Sequence, residues 1–69
     1  ISEREFFRIV KAGFAAKRKK IVKSLSANLA ISKERAAEIL EKCEVSPDLR
    51  AQDLEIEKWL KIAKVFYSK

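Results

Sequence analysis

Histidine is absent from the 69 residues, and cysteine, glycine and proline occur once each. With no histidine and Cys43 as the lone thiol, the chain can build neither a Cys/His zinc site nor an intramolecular disulfide. Gly13 alone cannot supply a Gly-rich phosphate loop. One Gly and one Pro also leave little scope for the tight turns of a many-stranded fold. No apolar run approaches the ~20 residues of a membrane span, and no signal-peptide pattern opens the chain. A single thiol among abundant lysines fits a reducing, cytoplasmic setting. The start at Ile1 suggests a domain, residues 1–69, taken from a longer protein.

Catalytic constellations are missing as well. No Ser or Cys has a His base, and the carboxylates are scattered over polar helix faces. Cys43 falls on an apolar stripe, the setting of a buried, inert thiol rather than a nucleophile. The sequence therefore predicts no catalytic, cofactor-binding or metal-binding residue within this segment.

What the chain does have is positive charge, +6 overall, and it is unevenly placed. Residues 1–23 hold eight of the 16 Lys/Arg against only Glu3 and Glu5, while residues 24–69 hold eight of each sign. Such asymmetry points to a polyanionic partner, nucleic acid before a membrane surface.

Periodicity predicts an all-α fold, a small compact bundle of three to four helices over about 2–15, 17–29, 32–43 and 55–67, with a short helical turn near 47–51. Ser2 and Glu5 have the spacing of a capping box at the first helix. Phe6, Phe7, Val10 and Phe14 share its predicted inner face, with Ile9 at the edge and Arg4, Arg8 and Lys11 opposite. Gly13 either permits a close helix contact or marks a break. The second helix would bury Ile21, Val22, Leu25 and Leu29, present Lys19, Lys20 and Lys23 outward, and fray through "SLSAN" (24–28). Ser32 caps the third, which turns Ala36, Ile39, Leu40 and Cys43 inward and lets Glu38 meet Lys42. On the last helix Trp59, Leu60, Ala63, Phe66 and Tyr67 read as inner, and Lys58, Lys61 and Lys64 as outer. All these aromatic residues are read as core rather than as base-stacking groups.

On this reading Arg8 and Lys11 join Lys17, Lys19, Lys20 and Lys23 as a phosphate-binding set. Four successive cations, Lys17 to Lys20, at a helix start oppose the macrodipole, and a bound phosphate would relieve that conflict. Because the set is mostly lysine, backbone contact is expected over base reading. Arg18 falls at the apolar edge and is expected to be partly covered; it and Arg50 are assigned structural charge roles. Two other readings remain: a helix-turn-helix DNA-binding module, which wants a recognition helix richer in base-reading side chains, and a protein-interaction domain.

Two stretches carry a resemblance. "FFRIVKAGFAAKRKKIVKSL" (6–25) resembles the opening segment of the small C-terminal domain of the small-subunit rRNA adenine dimethyltransferases. "VSPDLRAQDLEIEKWLKIA" (45–63) resembles that family's second block, in the same order and spacing. Phe14, Arg18, Lys19, Ile21 and Leu25 match the first block; Arg50, Ala51 and Leu54 match the second, with Trp59 where Phe is usual. Lys17 stands in place of Arg, Lys23 in place of a frequent Asn, and Gln52 in place of an acid that Asp53 would replace. The resemblance implies a two-domain parent enzyme. Its Rossmann-like N-terminal domain would bind S-adenosylmethionine and dimethylate two adjacent adenines of small-subunit rRNA. This monomeric helical domain would grip the pre-ribosomal small subunit, with no membrane partner.

Overall fold

Ser2 opens the first helix as its spacing predicts. Its hydroxyl accepts from the Glu5 amide at 3.2 Å, and the Glu5 carboxylate accepts from the Ser2 amide at 2.9 Å. Two orphan amides are thereby satisfied reciprocally. The computed structural model describes residues 2–16 and 18–68. It contains four α-helices, α1 (Glu3–Phe14), α2 (Ile21–Leu29), α3 (Lys33–Lys42) and α4 (Ile56–Tyr67), with one 3-10 turn at Ala51–Asp53. There is no strand among the described residues.

The main packing contacts run α1–α2, α2–α3, α3–α4 and α4–α1, closing a ring around one core. Ile9, Ile21, Leu25, Ile39, Leu40 and Ile62 fill it, each from 0 to 1% exposed. Burying each such side chain contributes about 1.5–3 kcal/mol, a large share of what a chain this short can gather. Ala36, Ile39, Leu40 and Cys43 are all buried, as the third helix's pattern predicts.

The chain leaves α2 and α3 by the same device. Ala30 and Glu44 adopt left-handed φ values of 56° and 58°. Five-residue back-bonds then close each end, from Ile31 N to Ser26 O at 3.1 Å and from Val45 N to Leu40 O at 2.9 Å. This is Schellman geometry built without glycine.

Four features differ from the sequence-based expectations. First, α2 starts at Ile21 rather than near 17. Residues 15, 16 and 18 lie in turns, the Lys19 amide donates to Ala16 O, and the Ile21 amide is taken by Leu49 O at 2.6 Å. That long-range bond, not local propensity, fixes the helix start.

Second, the short helical turn lies at 51–53 instead of 47–51, because the Asp53 carboxylate caps the Arg50 amide at 3.0 Å.

Third, the buried face of α1 is rotated. Ile9, Ala12 and Gly13 are buried, whereas Phe7 is 53% and Phe14 44% exposed. The reason is Trp59, whose ring occupies the space where a side chain on Gly13 would stand: an added Cβ would meet Cη2 and lie 2.6 Å from Cζ3. Gly13 is thus a close-approach site. On α4, likewise, Ile62 is buried and Leu60 is exposed.

Fourth, α2 does not fray at "SLSAN". Ser24 is 1% exposed, and its hydroxyl donates to Ala12 O and Gly13 O, both at 2.8 Å. The Asn28 amide nitrogen donates to Ala12 O at 3.2 Å and Ser24 O at 2.9 Å. The carbonyls of Ala12 and Gly13 belong to the last turn of α1, which has no helical partners for them. The residues that weaken α2 as an isolated helix tie it to α1.

Candidate nucleic-acid interface

The basic third of the chain divides into two groups. Arg4, Arg8 and Lys11 project from the outer face of α1, four and three residues apart, so all stand on one side of the helix. Together with Glu3, Phe7, Phe14 and the exposed Asn28 of α2, they line an open hollow of about 950 Å³. Arg8 leans towards α4, its guanidinium carbon 5.9 Å from the centroid of Phe66. Such a contact contributes about 0.5–1 kcal/mol at an exposed site.

The second group comprises Arg18, Lys19 and Lys20 in the loop, with Lys23 following on α2. All four are exposed. They lie outside the hollow of α1, and Lys17 lies outside the described residues. Arg18 is therefore not partly covered as its place in the apolar pattern suggests; the later helix start frees it from that stripe.

Three successive residues strap this loop to the bundle. The Asp48 carboxylate accepts from Lys20 Nζ at 3.1 Å, Leu49 O accepts from the Ile21 amide, and Arg50 Nε donates to Arg18 O at 3.1 Å. The Arg50 guanidinium thus holds a backbone carbonyl rather than an acid, while Asp53 caps the Arg50 amide. Gln52 is exposed beside it. Sequence reasoning missed Asp48, which sits three residues beyond Val45 in a stretch outside the helices; no local signal connects it to Lys20.

The dipole conflict is smaller than the sequence implies. Arg18 and Lys19 occupy a connection after α1 rather than the first turn of α2, and Lys20 is the N-cap residue with Asp48 beside it. With Lys20 and Asp48 57% and 72% exposed, that pair contributes about 0–1 kcal/mol.

Burial pushes the Cys43 thiol above its ordinary value of 9.0, opposed by Lys61 and Lys58. Lys58 is half-buried rather than outward, and its Nζ donates to Cys43 O at 3.3 Å at the negative end of α3. Among the described residues no three His, Cys, Asp or Glu side chains are grouped to hold a metal ion. No described helix is long and apolar enough to cross a membrane.

No family model matches the chain. Individual relatives do. The ribosomal RNA small subunit methyltransferase A of Fusobacterium nucleatum is 44% identical over 66 residues, covering 96% of this chain and 25% of its own length. This chain belongs to that family. The methyltransferase A of Dehalococcoides mccartyi is 32% identical over 66 residues, covering 96% of this chain and 23% of its own length. That of Desulfitobacterium hafniense is 37% identical over 59 residues, with 86% and 21% covered. The chain thus spans about a quarter or less of the methyltransferase A relatives it matches, a domain-sized part.

Proposed function

We propose that this chain is the C-terminal, rRNA-docking domain of a cytoplasmic small-subunit rRNA adenine dimethyltransferase. The relationship across 96% of the chain to proteins named ribosomal RNA small subunit methyltransferase A carries this reading. The concentration of charge in residues 1–23 supports it. In the parent enzyme a separate Rossmann-like domain would hold S-adenosylmethionine and transfer its methyl groups to two adjacent adenines. The residues of this domain do not fit that cofactor: its one glycine faces the Trp59 ring, and no Gly-rich turn precedes a helix. Its part is to bind and position the pre-ribosomal small subunit as a monomer.

Arg8, Lys11, Lys17, Lys19, Lys20 and Lys23 would contact phosphates, releasing counterions from the RNA. Arg50 would hold the loop that presents them through the Arg18 carbonyl, and the structural role expected of the exposed Arg18 side chain falls to that carbonyl. Binding of the chain to a small-subunit rRNA fragment, measured over a range of salt, tests this. Affinity should fall steeply with salt. Changing Lys19, Lys20 and Lys23 to Ala should weaken binding and flatten the slope by about 0.7–0.9 for each phosphate no longer neutralised. The melting temperature should not fall. A flat salt dependence, or a large loss of stability, would refute a phosphate-dominated site.

A further inference from the structure

The hollow on α1 contains more than cations. Phe7 and Phe14 lie two helical turns apart on one side of the helix, and both are substantially exposed, at 53% and 44%. Phe14 is held from behind by Trp59, with ring centroids 5.5 Å apart and planes 27° apart, so its orientation is set before any ligand arrives. Arg4 and Lys11 flank the two rings along α1, and Arg8 lies beside Phe7. The Asn28 amide nitrogen is spent on two carbonyls, so the group it can offer a ligand is its oxygen.

We propose that this outer face of α1 is a stacking platform for unpaired nucleobases of a single-stranded or looped RNA, with Phe7 and Phe14 against base faces and Arg4, Arg8 and Lys11 on the flanking phosphates. The proposal rests on the RNA-binding reading above and adds a preference for unpaired over duplex RNA. Every base has a face to stack on an aromatic ring, but in a duplex those faces are already covered. Charge complementarity favours RNA over an apolar protein partner. The hollow carries three cations against one acid, Glu3, and a hydrophobic partner would have to desolvate those cations without pairing them.

The test compares a single-stranded RNA oligomer with a perfectly paired RNA duplex of equal length, each titrated into the full 69-residue chain. The single strand should bind more tightly and should change the emission of Trp59, the only tryptophan, through Phe14. Phe7→Ala, at an exposed site that should leave melting unchanged, should weaken the single strand roughly tenfold and the duplex hardly at all. Phe14→Leu, checked for folding by circular dichroism, should do the same and remove the Trp59 response.

Changing Lys19, Lys20 and Lys23 to Ala should weaken both probes alike, which separates this platform from the phosphate contacts. If those lysines matter but Phe7→Ala affects neither probe, or both equally, the platform is refuted and the RNA-binding reading stands. If the unaltered chain binds neither RNA at low salt, the underlying reading fails and the platform with it. If Phe7→Ala instead weakens only association with the separately expressed remainder of the parent enzyme, the face is a protein interface and the proposal is overturned.

Discussion

In α3, Glu38 stands between Arg35 at 3.1 Å and Lys42 at 3.6 Å, and Lys58 of α4 reaches the carbonyl end of the same helix. The basic third of the chain is organised differently. Of its two acids, Glu5 is engaged in capping α1. The ion pair that its cations form among the described residues, Lys20–Asp48, borrows an acid from the other half. Residues 24–69 carry as many acids as bases, and Glu38 pairs two of those cations locally. The first third is left with a surplus that repels itself, and an external anion would relieve it.

The contrast implies a division of labour. The basic surface is mounted on the bundle by a few specific contacts: Gly13 against Trp59, Ser24 on the end of α1, and the strap of residues 48–50. Damage to a mount should cost stability at any salt concentration. Damage to the surface should cost binding, and do so in a salt-dependent way.

The largest effect on the mount is expected from Gly13→Ala. A single methyl group must displace the Trp59 ring or push α1 away from α4, a disturbance costing about 1–3 kcal/mol. For a domain of this size that lowers the melting temperature by about 4–8 °C per kcal/mol. Thermal unfolding followed by circular dichroism would measure it. A double-mutant cycle with Trp59→Phe should recover part of the loss, since the smaller ring leaves room for the methyl. Equal losses with and without Trp59→Phe would show that the contact is not the cause.

Ser24→Ala should cost less, about 1–2 kcal/mol, because it removes a buried donor shared by two helix-terminal carbonyls while Asn28 still serves one of them. Hydrogen exchange should quicken at the junction of α1 and α2 more than at α3. The loss should be the same at low and high salt, unlike any effect of the lysines.

How far the sequence can reveal this organisation follows from the range of the interactions involved. Local signals suffice for the caps at Ser2 and Ser32, for α3 and the extent of α4, and for the inner stripe from Ala36 to Cys43, but not for the face of α4, where Ile62 rather than Leu60 is buried. The start of α2 is not legible, because it depends on Leu49 O, 28 positions away. The face of α1 misleads for a related reason. Its pattern of phenylalanines points one way, but the bulk of Trp59 requires the glycine to face inward and turns Phe7 and Phe14 out. "SLSAN" reads as a weak helix end until the carbonyls that Ser24 and Asn28 satisfy are in place. For the candidate site, the concentration of charge is visible in composition. The separation of the α1 hollow from the loop cations, and the reach of Asp48 to Lys20, emerge only once the chain is folded.

The smallest expected change sharpens the comparison most, because it removes an acid that the balanced half lends to the basic loop. Asp48→Asn should alter stability by no more than about 1 kcal/mol, since the pair is exposed and the Leu49 and Arg50 bonds of the strap remain. It should nevertheless release Lys20 and raise the net charge. RNA binding should strengthen severalfold at low salt, and the salt dependence should steepen by up to about one neutralised phosphate. Lys20→Ala should weaken binding with an equally small change in stability. If both substitutions lower the melting temperature together and leave RNA affinity untouched, Lys20 belongs to the mount rather than to the surface. The phosphate-binding set would then be reduced to its other five cations.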